Sequence, residues 1–399
     1  MFLECISIDK LNNNMKVFVF GGDHHNTIGV VRCIAQANYE AEIYVIVSAN
    51  KNNCLSKTCK YVTRLFIVAS QQEGLDVLLN NCSIQEKHVL ICCSDGSAEI
   101  VDNHLDELKP FYHLQNAKSE AGRIVFYMDK RHITELAEKC GFTIPASYVM
   151  NTERPVPKTI NYPCLTKPLV SIEGHKSDII TCINENALTD ALKSIKAGGC
   201  KAVQIQQYID KEYELSIVGC SLNGGEQLVL PGIIRKIREY PVKRGSSSFA
   251  VMLPWTMYKF DLDPVYKIMR ELGYTGLFSI EFLHCKNKDY FLEVNLRNDG
   301  NGAVSSAGGV NLPGILLNSF LGKDIKEHKK VIDNPVYFMR EEFDFIHIFE
   351  RRLSLLNWIK DFKRTNFFLL YDKNDKGPFK KRRMSIIKRI IKLLIGRRV

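Results

Sequence analysis

Short apolar runs alternate with segments of helical spacing through the first part of the chain. Four of these runs predict buried strands: KVFVFGG (16–22), EIYVIV (42–47), RLFIV (64–68) and HVLICC (88–93). The apolar positions of 27–37 and 74–80, which lie between these runs, have the spacing of helices. Strands that alternate with helices predict a parallel, doubly wound α/β sheet over roughly residues 15–115.

From about Arg123 the pattern changes to that of two α+β lobes. In the first lobe the predicted helices are 128–141 and 186–199, each ending at a glycine, and the predicted strands are 162–168, 178–183 and 201–209. The second lobe contains the strand runs ELSIVG and QLVLPGIIRKI, helices at 261–273 and 308–322, and a hairpin over 277–295.

A length of 399 residues suits two or three packed domains. The patterns divide it into an N-terminal extension (1–14), an α/β domain (15–115), a two-lobed domain (116–325, with lobes of about 123–209 and 210–325), a C-terminal extension (326–375) and a tail (376–399). The aromatic run NFFLLYD inside the C-terminal extension is assigned to no element.

Composition and charge exclude several classes of protein. With 45% hydrophobic and 25% charged residues, the chain is neither disordered, nor collagen, nor a coiled coil. The tail, 376–399, holds ten basic residues and no acidic one, and therefore accounts for the whole net charge of +10. A neutral body disfavours a nucleic-acid-binding protein.

The cysteines and the termini point to a reducing compartment. Thirteen cysteines without a Cys-x-x-Cys pair form neither a disulfide framework nor a zinc ribbon. Residues 1–9 lack the basic region of a signal peptide, and no run of eighteen apolar residues predicts a membrane span. We therefore expect a cytoplasmic protein.

The strongest chemical signal is the segment GLFSIEFLHCKNKDYFLEVNLRNDGNG (276–302). Strand alternation places Glu293, Asn295 and Arg297 on one face, and a turn at 286–289 folds Glu281 back towards them. Burying two carboxylates without a counter-charge costs several kcal/mol. This set of side chains therefore fits hard cations and a polyphosphate. A purely structural Glu–Arg pair is the alternative interpretation.

On these residues the sequence resembles the ATP-grasp superfamily of carboxylate–amine ligases, whose signature is a pair of acids followed by Asn and Arg. The resemblance covers about residues 16–325. Within the superfamily, the sequence is similar to the D-aspartate ligase and carbamoyl-phosphate-synthase-like branch. It implies a Rossmann-like pre-ATP-grasp domain followed by a two-lobed ATP-grasp domain. It also implies ATP, with Mg²⁺ (Mn²⁺ as an alternative) held by Glu281, Glu293 and Asn295.

Other residues match the family's nucleotide-binding elements in the expected order. The resemblance assigns Lys130 and Lys167 to the phosphates, although a lone lysine is more often a solvated surface charge. It assigns Glu212 to the ribose hydroxyls, with Glu214 as the alternative if the register is shifted by two. The hinge that holds adenine through its backbone falls on four consecutive residues: Gln206, Gln207, Tyr208 and Ile209. Many relatives have Glu at the first of these positions.

The elements that contact the substrate are less specific. In RKIREYPVKRGSS (235–247), Arg235 and Arg238 match a segment that lies near the acyl substrate, but such charge runs are often solvated. The GGDHHNT loop offers His24 and His25 to a substrate, or carries them as ordinary polar loop residues. The loop 169–178, which has only one glycine, is the expected lid over the triphosphate.

The resemblance implies an ATP-dependent carboxylate–amine ligase that activates a carboxylate as an acyl phosphate and couples it to an amine. Lys130, Lys167 and Arg297 neutralise the developing charge, and Arg235 is added as a catalytic candidate near the substrate. Two alternatives stay open: carbamoyl-phosphate-type activation of bicarbonate, and a catalytically inactive ATP-binding protein associated with a membrane. The expected partners are small-molecule acids and amines, and no nucleic acid.

In the tail, Ile386, Ile387, Ile390, Ile391 and Leu394 recur as a helical stripe beside lysines and arginines. This makeup is typical of an interfacial amphipathic helix attracted by anionic lipid. The alternatives are a helix packed on the protein's own body and a nucleic-acid patch. The tail therefore predicts a peripheral protein at the inner face of the cytoplasmic membrane.

Overall fold

The computed structural model describes residues 15–37, 40–49, 53–83, 85–154, 156, 159–167, 179–242 and 245–394. It is a mixed α/β structure, as predicted, and the described residues form three sheets. The lid loop 169–178 and the N-terminal extension lie outside the described residues. Among the helices described, none is long and apolar enough to cross a membrane.

The first sheet is parallel and five-stranded, in the order β3-β2-β1-β4-β5. Its strands are β1 (Lys16–Gly22), β2 (Glu42–Ser48), β3 (Arg64–Val68), β4 (His88–Cys92) and β5 (Tyr112–Leu114). Its helices are α1 (His25–Ala37), α2 (Gln71–Leu79), α3 (Asp95–Asn103) and α4 (Leu105–Leu108). In β1, Val17 and Val19 pack into one core while Phe18 and Phe20 pack into another. Burial on both faces explains why this strand is apolar throughout.

The first lobe is a four-stranded antiparallel sheet in the order β7-β10-β8-β9. The chain reaches it through β6 (Asn116–Ala117), α5 (Arg123–Met128) and α6 (Lys130–Cys140). The lobe itself contains β7 (Ser147–Asn151), β8 (Cys164–Lys167), β9 (Thr181–Cys182), α7 (Glu185–Ala197) and β10 (Ala202–Gln207). Gly141 caps α6 in the left-handed conformation, as its position in the sequence predicted.

The third sheet has the order β16-β15-β11-β13-β14-β17-β18, with β12 and β6 paired at its side. Its strands are β11 (Tyr213–Leu222), β12 (Gln227–Val229), β13 (Ile233–Tyr240), β14 (Ser246–Leu253), β15 (Tyr274–Cys285), β16 (Lys288–Asn295), β17 (Val336–Met339) and β18 (Phe367–Phe368). Its helices are α8 (Asp263–Leu272), α9 (Leu312–Phe320), α10 (Glu341–Asp344), α11 (Ile346–Phe349), α12 (Leu355–Arg364) and α13 (Gly377–Leu394).

Residues 326–375 are integrated into this sheet. β17 pairs with β14, and β18, part of the unassigned NFFLLYD run, pairs with β17. The segment is also fixed to the first sheet, because the buried Arg32 of α1 donates to Asp375 at 3.0 Å and to the Leu370 carbonyl at 3.0 Å. The C-terminal extension thus connects two of the three sheets.

Candidate functional site

A cleft of about 1190 Å³ lies where the three sheets meet. One end is lined by the loops after β1 and β4, including His24, His25 and Ser94. These loops follow β1 and β4, the two adjacent strands between which the strand order reverses. Open α/β sheets bind ligands at this position. The remaining walls come from the first lobe, the third sheet and the C-terminal segment.

The two predicted metal-binding acids stand opposite each other. Glu281 of β15 pairs directly with Glu293 of β16, and Ser279 pairs with Asn295. The intervening turn places Lys286 and Asn287 at φ of 48° and 61°, the left-handed region that a tight hairpin requires. Burial and the neighbouring Glu293 carboxylate raise the pKa of Glu281. A cation between the two carboxylates would remove this repulsion.

Arg297 connects the acid pair to the parallel sheet. Its Nε donates to Asp95 Oδ1 at 2.7 Å, and its Nη2 donates to Asn295 Oδ1 at 3.1 Å. Asp95 is the first residue of α3, and the preceding Ser94 caps that helix. The guanidinium is therefore held at the cleft by a neighbour on its own segment and by Asp95, which lies 202 residues earlier in the sequence.

Both predicted phosphate lysines line the cleft. Lys167, at the end of β8, is buried, and its Nζ donates to Gln206 Oε1 at 2.6 Å. Burial, and then the nearby Lys130, lower the pKa of Lys167 to about 8. Burial also lowers the pKa of Lys130, the first residue of α6. Two desolvated cations side by side favour a polyanionic ligand.

Of the two acids considered for the ribose, Glu214 faces the cleft and Glu212 does not. Glu212 Oε1 instead accepts a hydrogen bond from the Lys286 backbone N–H at 3.0 Å, in the hairpin turn. Glu214 pairs with Lys211 and Lys236, which lower its pKa against the opposing effect of burial. The alternative register is therefore the one that places an acid in the cleft.

Arg235, which was expected near the acyl substrate, does not line the cleft either. It is exposed, lies outside the cleft lining, and stacks on the Tyr213 ring at 5.5 Å. The neighbouring Lys236 points to the opposite side of β13 and lines the cleft. Arg238 is also withdrawn from substrate, because its guanidinium donates to Asp344 at 2.8 and 3.0 Å.

The hinge residues divide into two groups. Tyr208 and Ile209 line the cleft, whereas Gln206 supports Lys167 and Gln207 is exposed. The backbone N–H of Gln207 donates to the Ala146 carbonyl at 2.8 Å, and that of Tyr208 to the Pro163 carbonyl at 3.1 Å. The main-chain N–H groups of Gln207 and Tyr208 are therefore already bonded within the protein.

Several lining residues were not predicted from the sequence. Arg340 lies in the segment after β17, and its guanidinium donates to Glu342 at 3.0 and 3.1 Å. The buried hydroxyls of Ser216 and Ser247 also line the cleft and have no hydrogen-bond partner among the residues described. Unsatisfied buried hydroxyls beside a cleft indicate a polar ligand. Ser247, like the lining residue Lys236, belongs to the segment 235–247.

The donor set fits Mg²⁺ bound together with phosphate. In the described part of the chain, no group of three or more His, Cys, Asp or Glu side chains could hold a metal ion. Glu281 and Glu293 instead offer two carboxylates, with Asn295 beside them at 3.4 Å from Glu293. Mg²⁺ is usually bound by one or two carboxylates plus substrate phosphates, since it retains much of its water shell.

Comparison with known proteins gives partial sequence matches and extensive structural ones. No family model matches the sequence. The chain is 27% identical over 157 residues to the formate-dependent phosphoribosylglycinamide formyltransferase of Wolinella succinogenes, covering 38% of each chain. It is 24% identical over 209 residues to the carbamoyl phosphate synthase large chain of Archaeoglobus fulgidus, covering 50% of this chain and 19% of that one. The chain thus spans less than half the length of these relatives.

The fold matches solved structures over most of its length. One is the biotin carboxylase domain of the Hydrogenobacter thermophilus 2-oxoglutarate carboxylase, in complex with MgADP, ADP and bicarbonate. It superposes with a TM-score of 0.62 at 17% identity, covering 81% of this chain and 73% of that one. In part of its sequence and in its fold, the chain is thus similar to these proteins, in agreement with its resemblance to the ATP-grasp superfamily.

Proposed function

We propose that the protein is an ATP-dependent carboxylate–amine ligase. The observation that carries the proposal is the direct pairing of Glu281 with Glu293 in a cleft that also contains Lys130, Lys167 and Arg297. Two acids opposed by three cations suit a metal–polyphosphate complex better than a structural ion pair. The names of the matched proteins support this, because formate and bicarbonate are both carboxylate-type substrates.

The cleft offers a place for each part of ATP. Lys130 and Lys167 bind the phosphates, and Glu214 accepts hydrogen bonds from the ribose. Tyr208 and Ile209 contact the adenine. Glu281, Glu293 and Asn295 hold Mg²⁺, which when bound would neutralise the phosphate oxygens and orient them.

The end of the cleft lined by the loops after β1 and β4 holds the acid and the amine. A carboxylate oxygen attacks the γ-phosphorus, ADP leaves, and Arg297 with the two lysines stabilises the charge on the transferred group. The amine then attacks the acyl carbon, loses a proton and expels phosphate. Burial lowers the pKa of both His24 and His25, so neutral imidazoles are available near the amine. This gives the two histidines of the GGDHHNT loop a substrate-binding role.

The finer assignments made from the sequence are part of the proposal. The parallel sheet of β1–β5 is the pre-ATP-grasp domain, with a Rossmann-like arrangement, and residues 116–325 form the ATP-grasp domain. The loop 169–178 is the lid that keeps water from the acyl phosphate. The enzyme acts in the cytoplasm and reaches anionic membrane surfaces through its basic tail, 376–399.

A screen for ADP release tests the proposal. Amino acids, other carboxylic acids and amines are offered in pairs with Mg²⁺ and ATP. The ligase releases ADP at a substantial rate only when both an acid and an amine are present. Release with bicarbonate alone would favour carbamoyl-phosphate-type chemistry. ATP binding without turnover for any pair would favour the inactive ATP-binding protein.

A further inference from the structure

Helix α12 carries apolar side chains into solvent. Its apolar residues at 355, 356, 358, 359 and 362 follow helical spacing, yet none of its ten residues is buried. Leu356 is 74% exposed and Leu355 is 56% exposed. A surface helix normally turns such a stripe towards the core. Here the described part of the chain leaves the stripe uncovered.

A row of aromatic rings extends this apolar surface from α12 to α13. Each ring contacts the next, with centroids 5.2, 5.0, 6.2 and 5.4 Å apart along the row Trp358, Phe362, Phe368, Tyr371 and Phe379. None of the five is buried. Two to three turns further along α13, Ile387 and Ile391 are also exposed. Trp and Tyr at a polar–apolar boundary are typical of membrane interfaces.

Basic residues surround these apolar groups. Residues 351–364 contain five lysines and arginines and a single acid, Asp361. That acid is paired with Arg238 and Arg364. The tail, 376–399, adds ten basic residues and no acid. The charge of the whole surface is therefore complementary to an anionic partner.

The surface is attached firmly to the body and close to the cleft. The backbone N–H of Lys60 donates to Asp375 Oδ1 at 3.1 Å, and Asp375 also binds the buried Arg32. In α13, Arg382 Nε donates to Glu342 at 2.6 Å, the same carboxylate that binds Arg340 of the cleft lining. Whatever binds α13 therefore lies near the end of the cleft that contains Arg340.

We propose that α12, the aromatic row and α13 form one membrane-binding surface for a bilayer that contains anionic lipid. The leucines, isoleucines and rings enter the interface, and the lysines and arginines bind head-group phosphates. The proposal enlarges the surface expected from the tail, because α12 and the rings lie outside 376–399. It is independent of the ligase activity.

Tryptophan fluorescence tests the role of α12 directly, because the chain has only two tryptophans, Trp255 and Trp358. The variant Trp255→Phe reports on Trp358 alone. Its emission should shift to the blue and be quenched by brominated lipid when vesicles of equal parts phosphatidylglycerol and phosphatidylcholine are added. The matched variant Trp358→Phe, which reports on Trp255, should show neither change. No shift for Trp358 would overturn the proposal.

Sedimentation with the same vesicles separates the contribution of α12 to membrane binding from that of the tail. Leu356→Ser with Ile359→Ser should reduce the bound fraction about tenfold. Met257→Ser, which removes another exposed apolar side chain, should not change it. If the bound fraction falls when the tail is removed but is unchanged in the α12 variant, the proposal that α12 belongs to the surface is wrong. Dimers that form as protein concentration rises and are lost in the α12 variant would assign the surface to a second copy of the chain instead. Tighter binding to single-stranded DNA than to vesicles would assign it to a nucleic acid.

Discussion

Arg297 Nε donates to Asp95 Oδ1 across 2.7 Å and so joins the end of β16, the strand that carries Glu293, to the first turn of α3. Asp95→Asn keeps the shape of the side chain but removes its charge, so Arg297 loses its orientation. We expect kcat to fall about tenfold, which corresponds to about 1.4 kcal/mol of transition-state stabilisation. Stability should change by less than about 1 kcal/mol, because the Asp95 side chain is 40% exposed.

Asp106→Asn is the matched control for this experiment. It removes an ion pair with Lys109, and neither residue belongs to the cleft lining. Its kcat should equal that of the wild type. An Asp95→Asn enzyme with unchanged kcat would show that Arg297 needs no support from α3.

The acid pair should destabilise the protein in the absence of metal. Because burial and Glu293 raise the pKa of Glu281, the folded protein binds this proton more tightly than the unfolded chain, whose carboxyl titrates near 4.5. The free energy of unfolding therefore falls as pH rises above 4.5. Glu281→Gln should remove this slope and stabilise the metal-free protein at pH 7 by on the order of 1 kcal/mol.

Urea unfolding at several pH values measures this effect, with Glu327→Gln, an exposed carboxyl, as the control. Glu293→Gln should act similarly on stability. Both cleft variants should lose nearly all turnover, with the larger loss for Glu293→Gln, because the amide cannot supply the charge for Mg²⁺. Near-normal turnover in Glu293→Gln would refute the metal assignment.

Nucleotide affinity should depend on the charge of Lys167. Its lowered pKa of about 8 means that the free protein loses this cation as pH rises through 8. The Kd for Mg²⁺-ATP should increase above that pH, by up to about tenfold per unit. Gln206→Glu places a negative partner where Lys167 now donates at 2.6 Å, so the break in the titration should move to higher pH.

Calorimetric titrations between pH 6.5 and 9.5 give these Kd values, and Lys167→Arg should flatten the profile. In thermal unfolding, Mg²⁺-ATP at a hundredfold excess over Kd should stabilise the wild type by about 2.7 kcal/mol. Lys167→Ala should weaken that gain. A wild-type profile without a pH break would indicate that Lys167 does not contact the phosphates.

Two acids two residues apart should differ sharply in their effect on nucleotide binding. Glu214→Gln should weaken Mg²⁺-ADP by about tenfold, since hydrogen bonds to a charged acceptor contribute about 1.5–3 kcal/mol. Glu212→Gln should leave the Kd unchanged and affect only the hairpin turn, where Glu212 accepts from Lys286. The reverse order of effects would return the ribose role to Glu212.

Lys236 and Arg235 provide a similar comparison on β13. Lys236→Ala should raise the KM for the acid substrate or for ATP, because this cation lines the cleft. Arg235→Ala should leave both KM values unchanged, since its guanidinium lies over the Tyr213 ring outside the cleft. Steady-state kinetics on the two variants measure the difference, and equal effects would argue against the strand's observed orientation.

Local patterns predicted most elements and the centre of the site. The sequence predicts the hairpin that brings Glu281 near Glu293. Their direct pairing also needs a register shift between Glu281 and Phe282, because the two-residue turn alone would place Leu292 opposite Glu281. The run IIRKIREY does not show which face of the strand is covered, so it does not separate Arg235 from Lys236, the residue that lines the cleft. Glu212, to which the resemblance assigns the ribose, lies outside the cleft lining, whereas Glu214, the alternative two residues later, faces the cleft.

Other parts of the site depend on long-range packing and leave no local signal. Asp95 comes to the acid pair only when the first sheet docks on the third, and nothing around it in the sequence marks an ion pair. Arg340 enters the cleft because β17 pairs with β14. In this pairing Met339 lies beside Phe249, 90 residues earlier in the chain. Such contacts require the assembled fold.

The path of a single oxygen atom tests the ligase account most directly. With an acid and amine pair that supports ADP release, the acid is labelled with ¹⁸O in its carboxylate, and the released phosphate is analysed by mass spectrometry. Activation as an acyl phosphate transfers one carboxylate oxygen to phosphate, so each phosphate should carry one ¹⁸O. Phosphate released without the label, at the same rate as the amide forms, would contradict the account.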